Sequence, residues 1–395
     1  LKKFCLMNLG KSIFSHLMDL LPKRYFDKLV VKYKGNYRVR KFSCWDQFLC
    51  MAFAQLTYRE SLRDIEACLC SVKSKLYHIG IKGRVSKNNL ANANINRDWR
   101  IFQDFGQHLI KETLKLYNKD DLIFKELDNT LFALDATTID LCLSLFPWAQ
   151  FRKKKSAVKI NTLLDIRTSL PTLINITSGR VHEINTLDII PIEPLAIYIM
   201  DKGYIDFKRL YKINKANAYF IIRKKRNLAY KRIRSINVKK YPDIRHDQII
   251  KLTGPKSSLD YPEYLRSIKY YNKEKNEYIT YITNHFTLSP MIVAALYKER
   301  WKIELFFKWI KQHLRIKAFY GTTEKAVKTQ IWIAITTYVL ILYIIKKYKL
   351  MENPYKILQI LSVHIFSKNM LYQLLTDHED KNDIDTPNKQ LFLFN

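Results

Sequence analysis

Cysteine is scarce in this sequence, and the few cysteines follow no metal-binding or disulfide pattern. They are Cys5, Cys44, Cys50, Cys68, Cys70 and Cys142. None forms a C-x-x-C pair, which excludes the usual spacing of a zinc site and leaves buried thiols in a reducing compartment as the expectation. The first residues also lack an apolar signal core followed by a small-residue cleavage site, so no secretory leader is predicted.

Acidic residues are few as well. The 395 residues include 36 Asp and Glu against 68 Lys and Arg, which gives a formal net charge of +32 at pH 7. A hydrophobic fraction of 48% excludes a disordered tail, and a length of 395 residues predicts two or three folded domains. A field of one sign attracts polyanions, so nucleic acid is the expected partner. The alternative is a basic protein of a generally basic proteome or one associated with the ribosome.

No hydrophobic run reaches the length of a typical membrane span. Residues 331–345 are uncharged and mostly apolar, but these 15 residues include Thr336, Thr337 and Tyr338. A span requires roughly 20 apolar residues. The run therefore predicts a buried core helix and no membrane partner, with a membrane-associated protein as the weaker alternative.

The first part of the chain, residues 1–115, reads as an all-α domain. Ser43 with Asp46, and then Thr57 with Glu60, resemble capping boxes in front of apolar helical runs. Ser86 is a third candidate cap, for a helix that carries Lys87 and Asn88. Two short helices, a connector and a capped helix suit a helix-turn-helix-like DNA-binding domain, although a plain helical bundle would give the same pattern.

The periodicity changes near residue 125. Short apolar segments rich in Ile, Leu, Val or Thr predict strands, and two intervening segments predict helices. The expected strands are 130–134, 158–166, 170–177, 197–200 and 218–222, and the expected helices are 185–190 and 206–216. The order β-β-β-α-β-α-β over residues 125–222 is that of the ribonuclease H-like fold.

Residues 223–289 interrupt this pattern with strand-like and turn-like pieces, which predict a mostly β insertion. Between Lys208 and Lys240 there are thirteen Lys or Arg and not one Asp or Glu. Such a run repels itself unless it meets an anion, so a DNA phosphate backbone is the natural partner. The densest part of this DNA-binding patch is Arg223, Lys224, Lys225 and Arg226.

Residues 290–350 predict a helical segment, and 351–395 a C-terminal tail. Ser289-Pro290 has the form of a helix start, and one long helix is expected to run to about residue 317. At 100° per residue, one narrow stripe of that helix carries a single carboxylate among cations and a tyrosine. The stripe consists of Tyr297, Arg300, Glu304, Lys308, Lys311 and Arg315. A salt-bridged surface helix is the alternative interpretation.

Two more carboxylates follow apolar strand-like runs. Asp135 ends one run and Asp201 ends another, so both are expected at strand ends. If these strands are parallel neighbours, both acids lie at the same sheet edge. A single Glu binds Mg²⁺ poorly, and convergence with Asp135 and Asp201 would supply the ligands that Glu304 lacks.

These residues carry a resemblance to a known family. The spacing Tyr297-x2-Arg300-x3-Glu304-x6-Lys311 resembles the signature of bacterial insertion-sequence transposases of family four. Residues 198–204 resemble that family's second-aspartate block, and residues 134–138 resemble its first. The resemblance covers about residues 125–345. The helical N-terminal section is also similar to the domain that precedes the catalytic core in one branch of the family.

The resemblance implies a ribonuclease H-like core that cuts and pastes DNA. Asp135, Asp201 and Glu304 would be catalytic and hold two Mg²⁺ ions, which Mn²⁺ could replace. Tyr297, Arg300, Lys308, Lys311 and Arg315 would bind DNA phosphates. The partners would be double-stranded DNA, as terminal inverted repeats and target, and a second copy in a DNA-bound homodimer. The location would be cytoplasmic, at the bacterial nucleoid.

Two other functions stay open. A related ribonuclease H-like nuclease would share the acids but only hydrolyse DNA, and an inactive transposase-derived protein would only bind it. Some relatives hold a flipped base with a tryptophan of the insertion, but no tryptophan lies in residues 202–300. Tyr270, Tyr271 or Tyr281 would have to stack in its place.

Overall fold

The computed structural model describes residues 10–81, 84–117, 127–152, 155–313 and 319–376. The chain divides into two compact units. One, here named the sheet unit, is Tyr117–Trp309, and the other, the helical unit, combines Leu1–Leu116 with Ile310–Asn395. The five-segment division expected from the sequence stays a prediction.

The sheet unit is built on one mixed sheet of ten strands. Its helices are α7 (Phe207–Lys215), α8 (Pro255–Asp260) and α9 (Pro290–Glu299), and α10 (Trp301–His313) begins in it. The strands are β1 (Leu131–Leu141), β2 (Gln150–Arg152), β3 (Lys155–Asp165), β4 (Leu170–Ser178), β5 (Ile197–Met200), β6 (Tyr219–Arg223), β7 (Tyr230–Ile236), β8 (Ile244–Leu252), β9 (Leu265–Asn272) and β10 (Glu277–Thr283).

Five of these strands reproduce the expected ribonuclease H-like core. Their order across the sheet is β4-β3-β1-β5-β6. The first three are antiparallel, while β1, β5 and β6 run parallel. The short 3-10 helix Glu183–Asp188 precedes β5, and α7 connects β5 to β6. The predicted mixed α/β fold with this core is confirmed.

The first strand is longer than its apolar run. β1 continues through Asp135 to Leu141 because β3 pairs with it along its whole length. The expectation that Asp135 ends its strand is therefore wrong. Pairing with β5 stops at Leu134, however, so Asp135 lies where β1 loses its parallel neighbour.

The predicted insertion is mostly β, as expected, but its strands continue the core sheet. β10 pairs antiparallel with β6, and β9, β8 and β7 follow outward in that order. β7 is the edge strand, and its side chains are exposed from Lys231 to Ile236.

The single long helix expected after Ser289 is interrupted. The Ser289 hydroxyl caps α9 by accepting from Ile292 N, and Pro290 takes the first helical position. At Arg300 the backbone tightens, since Arg300 N donates to Tyr297 O at 3.2 Å and Ile303 N to Arg300 O at 3.1 Å. The prediction of one continuous helix is wrong because these three-residue bonds start a second helix, α10.

The helical unit begins with the capped helices that the sequence predicted. The capping box of Ser43 and Asp46 is present, and Ser86 accepts from Asn89 N. The second cap is Ser61, which accepts from Asp64 N, so the prediction of Thr57 is wrong. The helices are α1 (Ile13–Asp19), α2 (Lys23–Lys32), α3 (Cys44–Leu56), α4 (Leu62–Ser71), α5 (Lys87–Asn96), α6 (Arg100–Leu114), α11 (Glu324–Tyr348), α12 (Pro354–His364) and α13 (Leu371–Thr376).

The long apolar run lies in α11. An 18-residue window of this helix has a mean hydropathy of 1.5, high enough for a membrane span, but 83% of that window is buried inside the protein. It packs against α3, α5, α6 and α12. This burial agrees with the prediction of a buried core helix. Among the cysteines, Cys44 and Cys50 are buried, whereas Cys70 and Cys142 are exposed, contrary to expectation.

Candidate active site

The two aspartates lie at neighbouring strands because of a short parallel register. Residues Leu131–Leu134 of β1 face Ile197–Met200 of β5, with Leu134 opposite Met200. The next residue on each strand is an aspartate, so Asp135 and Asp201 leave the buried part of the sheet side by side. The predicted arrangement of parallel neighbours is present.

Arg300 connects one of these aspartates to Glu304. Its Nη1 donates to Asp135 Oδ2 at 2.9 Å, and its Nη2 donates to Glu304 Oε1 at 2.6 Å. The side chains of Arg300, Asp135 and Glu304 are 15%, 22% and 34% exposed. The Tyr297 hydroxyl donates to Asp201 Oδ1 at 3.4 Å. The junction between α9 and α10 thus brings Tyr297, Arg300 and Glu304 to the two aspartates.

The three carboxylates influence one another electrostatically. Burial raises the pKa of Asp135 to about 6, and the charges of Glu304 and Asp201 add to the rise. The Ala136 N–H and the Arg300 guanidinium act in the opposite direction. Burial likewise raises the pKa of Tyr297 to about 12, with Asp201 adding to the rise and Arg300 opposing it. The cluster therefore carries more negative charge than Arg300 alone neutralises.

The donor chemistry of this cluster fits a divalent cation. Three carboxylates offer the oxygen ligands that Mg²⁺ and Mn²⁺ prefer. Within the described residues, no group of three or more His, Cys, Asp or Glu side chains is close enough to hold an ion, and Arg300 binds two of the three acids. A cation at the acids would offset the burial and the neighbouring negative charges that raise the pKa of Asp135.

A cavity of about 850 Å³ opens beside the acids. Asp201, Tyr297 and Arg300 lie in its wall together with Tyr270 and Tyr281. Its lining also includes cations and acids: Arg223, Lys273, Lys275, Lys298 and Lys302, with Glu274, Glu277 and Glu299. The cavity therefore joins Asp201 to a surface of aromatic side chains and mixed charges.

The predicted basic patch lies around the end of β6. Arg223 is half-buried and approaches Glu277 at 3.7 Å. Burial lowers the pKa of Lys224, and Lys269 lowers it further. Arg226 is exposed. Arg223 is the member of this patch that reaches the cavity.

The remaining members of the predicted stripe lie further along the chain. Lys308 is exposed on α10, and Lys311 is a half-buried residue of the same helix. Arg315 lies outside the described residues. The buried face predicted for this segment is correct, because Ile303, Phe306 and Ile310 are all buried.

The tyrosines proposed for base stacking differ in accessibility. Tyr281 is buried and packs on Tyr297 with ring centroids 4.7 Å apart. Tyr271 packs on Tyr278 at 5.0 Å. The cavity wall also includes Trp301, which is 56% exposed. Trp301 lies one residue beyond residues 202–300, the segment that contains no tryptophan.

Sequence reasoning assigned no role to two further groups near Asp201. Tyr204 follows Asp201 in the 3-10 turn Lys202–Tyr204 and is buried. Glu183 approaches the same turn so closely that a Cβ at Gly203 would stand 3.0 Å from Glu183 Oε1. The tight turn after Asp201 is the signal that could have found Tyr204, whereas Glu183 carries no local signal.

Three curated relatives bear transposase names. The protein named transposase y4zB of Sinorhizobium fredii is 33% identical over 213 residues, which is 53% of this chain and 59% of that protein. The one named for insertion sequence element IS5377 of Geobacillus stearothermophilus is 26% identical, over 56% of this chain and 59% of that protein. The one named for IS4SA of Synechocystis is 25% identical, over 69% and 75%. The chain spans about three fifths of the length of the first two.

A solved piggyBac transposase synaptic complex with hairpin DNA is also similar, at 10% identity and a TM-score of 0.46, over 97% of this chain and 84% of that one. Residues 9–82 match a family described as a domain of unknown function (DUF4372). Residues 126–340, more than half of the chain and including all three acids, match the family described as the transposase DDE domain. The chain therefore belongs to the transposase DDE domain family.

Proposed function

We propose that this protein is a DNA transposase that cuts the inverted-repeat ends of an insertion sequence and joins them to target DNA. The observation that carries the proposal is the meeting of Asp135, Asp201 and Glu304 around Arg300 and Tyr297 in a ribonuclease H-like core. These acids come from β1, the end of β5 and α10, and all three lie inside the matched DDE domain.

A DDE domain implies dependence on a divalent metal in general. We propose that Asp135, Asp201 and Glu304 hold two Mg²⁺ ions, which Mn²⁺ can replace. When bound, such ions supply the Lewis acidity that activates an attacking oxygen and stabilises a leaving one. The protein contributes the carboxylates and their fixed placement at the edge of the β1–β5 pair.

The cationic side chains position the DNA in this proposal. Arg300 offers a planar pair of donors suited to a phosphate, and Tyr297 adds a hydroxyl beside it. Lys308 and Lys311, and Arg315 outside the described residues, are proposed as further phosphate contacts. The Arg300 Nε is buried and has no hydrogen-bond partner in the described part of the chain.

A second DNA surface is proposed at the edge of the sheet. β7 exposes Lys231, Arg232 and Arg234, and the patch Arg223, Lys224, Lys225 and Arg226 directly precedes it. Lys and Arg that neutralise phosphates supply most non-specific DNA affinity. Double-stranded DNA is thus the proposed partner, engaged by a homodimer, in the bacterial cytoplasm at the nucleoid and without a membrane.

The helical unit is proposed to read the element ends. Within it, α5 exposes Lys87 and Asn88 in part, directly after the Ser86 cap. We expect Lys87→Ala with Asn88→Ala to reduce the preference for end DNA over scrambled DNA in a gel-shift competition. An unchanged preference would remove α5 from the reading surface.

The proposal is tested with the purified chain, Mg²⁺ or Mn²⁺, and linear DNA that carries the flanks of the gene. We expect cleavage at the element ends followed by strand-transfer products. Asp135→Asn, Asp201→Asn or Glu304→Gln should each abolish cleavage and leave DNA binding intact, because one lost ligand disrupts the metal site but not the basic surface.

Asp188→Asn is the matched control, since Asp188 pairs with Arg209 on the surface of the same unit. It should cut like the wild type. Near-wild-type cleavage by one of the three acid variants would remove that residue from the site. Cleavage without any strand transfer would identify a nuclease instead of a transposase.

A further inference from the structure

The loop between α2 and α3, residues 33–43, carries charge of one sign. From Lys28 to Trp45 the sequence contains six Lys or Arg and no Asp or Glu. Four of these cations are exposed residues of the loop, and none of the four forms an ion pair within the described part of the chain: Lys34, Arg38, Arg40 and Lys41. Uncompensated like charges repel one another, so this surface favours an anionic partner.

Cations of the helix before the loop are compensated, in contrast. Lys32 Nζ lies 2.9 Å from Asp104 Oδ2, and Lys23 Nζ lies 2.8 Å from Asp27 Oδ2. Such pairs are typical of a solvated protein surface, on which the two signs are interspersed. The loop therefore differs from α2, and solubility alone does not explain its charge.

The first half of the loop is held against the core of the helical unit. Gly35 N donates to Val30 O at 2.8 Å, and Asn36 Oδ1 accepts from Cys44 N at 2.8 Å. A Cβ at Gly35 would stand 2.5 Å from Ile101 Cδ1 and 2.7 Å from Cys44 Sγ. Because of this close approach, only glycine fits here without movement of its neighbours.

The end of the loop is tied to α5 by a buried arginine. Arg97 directly follows α5, and its guanidinium donates to Phe42 O, to Ser43 O at 2.8 Å and to Gln47 Oε1 at 3.0 Å. Gln47 Nε2 in turn donates to Asn94 Oδ1 of α5 at 2.7 Å. A loop fixed at both ends loses little conformational entropy on binding. Its cations are therefore presented on a preformed backbone.

An exposed aromatic side chain lies among these cations. Tyr37 is 68% exposed, and the Arg38 guanidinium lies over its ring at 5.1 Å. Arg, Lys and Tyr are among the side chains that contact the phosphates and sugars of duplex DNA. The formal net charge of +32 also favours DNA over an acidic protein as the partner.

We propose that residues 33–43 form a phosphate-binding loop, by which the helical unit holds the backbone of duplex DNA while α5 reads the bases. The inference rests on the proposed function, in which this unit binds the element ends. Phosphate contacts fix the position of a protein on the duplex and carry no sequence information of their own. The Arg97 contacts keep the loop and α5 in a fixed relation.

The variant that tests the loop is Arg40→Gln with Lys41→Gln. It is preferred because Lys34 and Arg38 have positive φ angles, so that substitutions there would also affect the backbone. The control is Lys111→Gln with Lys115→Gln, which removes the same charge from exposed positions of α6. Lys115 already pairs with Glu112 at 2.6 Å.

The experiment measures binding of the full chain in EDTA to an element-end duplex and to a scrambled duplex, by fluorescence anisotropy over a range of salt concentrations. The loop variant should bind both duplexes about tenfold more weakly at 0.1 M salt, because two phosphate contacts are lost. The slope of log affinity against log salt should fall by about two. The preference for end DNA should stay that of the wild type, and the control should keep the wild-type slope.

Three results would overturn the loop assignment while the proposed function stands, provided that the wild type binds and cuts end DNA. These are an unchanged salt slope in the loop variant, an equal loss in the control, and a loss of preference for end DNA. Tighter binding of poly-glutamate than of either duplex, abolished in the loop variant, would assign the loop to an acidic protein instead. A wild type that neither binds nor cuts end DNA would refute the proposed function and the inference with it.

Discussion

The sheet unit contains two arginine–carboxylate clusters that share their chemistry and differ in how completely they are satisfied. In the first, Arg266 pairs with Asp247 between β9 and β8, with side chains 3% and 1% exposed. In the second, Arg300 pairs with Asp135 and Glu304 at the wall of the cavity. A complete ion pair fixes the structure around it, whereas an incomplete one leaves groups that can bind something else.

The Arg266 cluster is complete. Arg266 Nε and Nη2 donate to the two oxygens of Asp247 at 2.9 and 2.6 Å. Its Nη1 donates to the carbonyls of His285, Phe286 and Leu288 at 3.2, 3.3 and 2.6 Å. These carbonyls lie directly before α9. The pair therefore fixes the loop from which the helix carrying Tyr297 and Arg300 begins.

The Arg300 cluster is incomplete in three respects. The pKa of Asp135 is raised to about 6, the Arg300 Nε lacks a partner in the described residues, and so does the nearby Tyr204 hydroxyl. Buried polar groups without partners are uncommon away from functional sites. Other buried polar atoms of this unit also lack partners in the described residues, among them Thr162 Oγ1 and Ser267 Oγ. What distinguishes the Arg300 cluster is that its unsatisfied groups lie beside three convergent acids, which favours it as the active site.

The largest effect on stability is expected from breaking the complete pair. Asp247→Asn leaves the Arg266 charge buried without its counter-ion, and we expect a loss of about 3–5 kcal/mol in the free energy of unfolding. Urea denaturation measures it. Glu274→Gln is the control, because the Lys298–Glu274 pair is exposed and should contribute nothing measurable. Equal stability of the two variants would contradict the comparison.

A smaller effect, confined to catalysis, is expected from the incomplete cluster. Arg300→Gln should reduce cleavage by a factor on the order of 10², as for other lost transition-state contacts, at matched DNA occupancy. The melting temperature should move little, since Arg300 compensates acids that a cation can also neutralise. Lys308→Gln changes an exposed cation on α10 and should slow cleavage less. Unchanged cleavage rates in both variants would mean that the stripe is only a solvated face of the helix.

The smallest effect concerns the pH dependence of stability without metal. The pKa of Asp135 is about 6 in the folded protein against an ordinary 3.8, so the folded state prefers the protonated acid. Stability from this group is fully present below about pH 4 and is lost as pH rises through 6. In EDTA at pH 7.5, Asp135→Asn should therefore be more stable than the wild type, by on the order of 2 kcal/mol.

Urea denaturation of both proteins from pH 4 to 7.5 checks this expectation. The difference in unfolding free energy between the two proteins should disappear toward pH 4, where Asp135 of the wild type is protonated. A difference in unfolding free energy that does not change with pH would mean that folding does not raise the pKa of Asp135. Addition of Mn²⁺ should favour the wild type, because the amide is a poorer ligand for it.

The sequence alone was sufficient for the features that depend on local patterns. Alternating and continuous apolar runs located the five core strands, and side-chain caps located the starts of α3, α5 and α9. The acids Asp135 and Asp201 were found because they follow apolar runs, and Glu304 because it lies alone among cations. Such signals extend over a few residues and survive without tertiary contacts.

Other features were decided only by the tertiary structure. The length of β1 depends on its pairing with β3, and the Arg300–Asp135 bond joins residues 165 positions apart. The Arg266–Asp247 pair and the Tyr204 hydroxyl have no signature in the sequence, because a charge or hydroxyl looks the same whether folding buries it or not. The sequence thus determined which groups could do chemistry, and the packing of the sheet determined which of them remain unsatisfied.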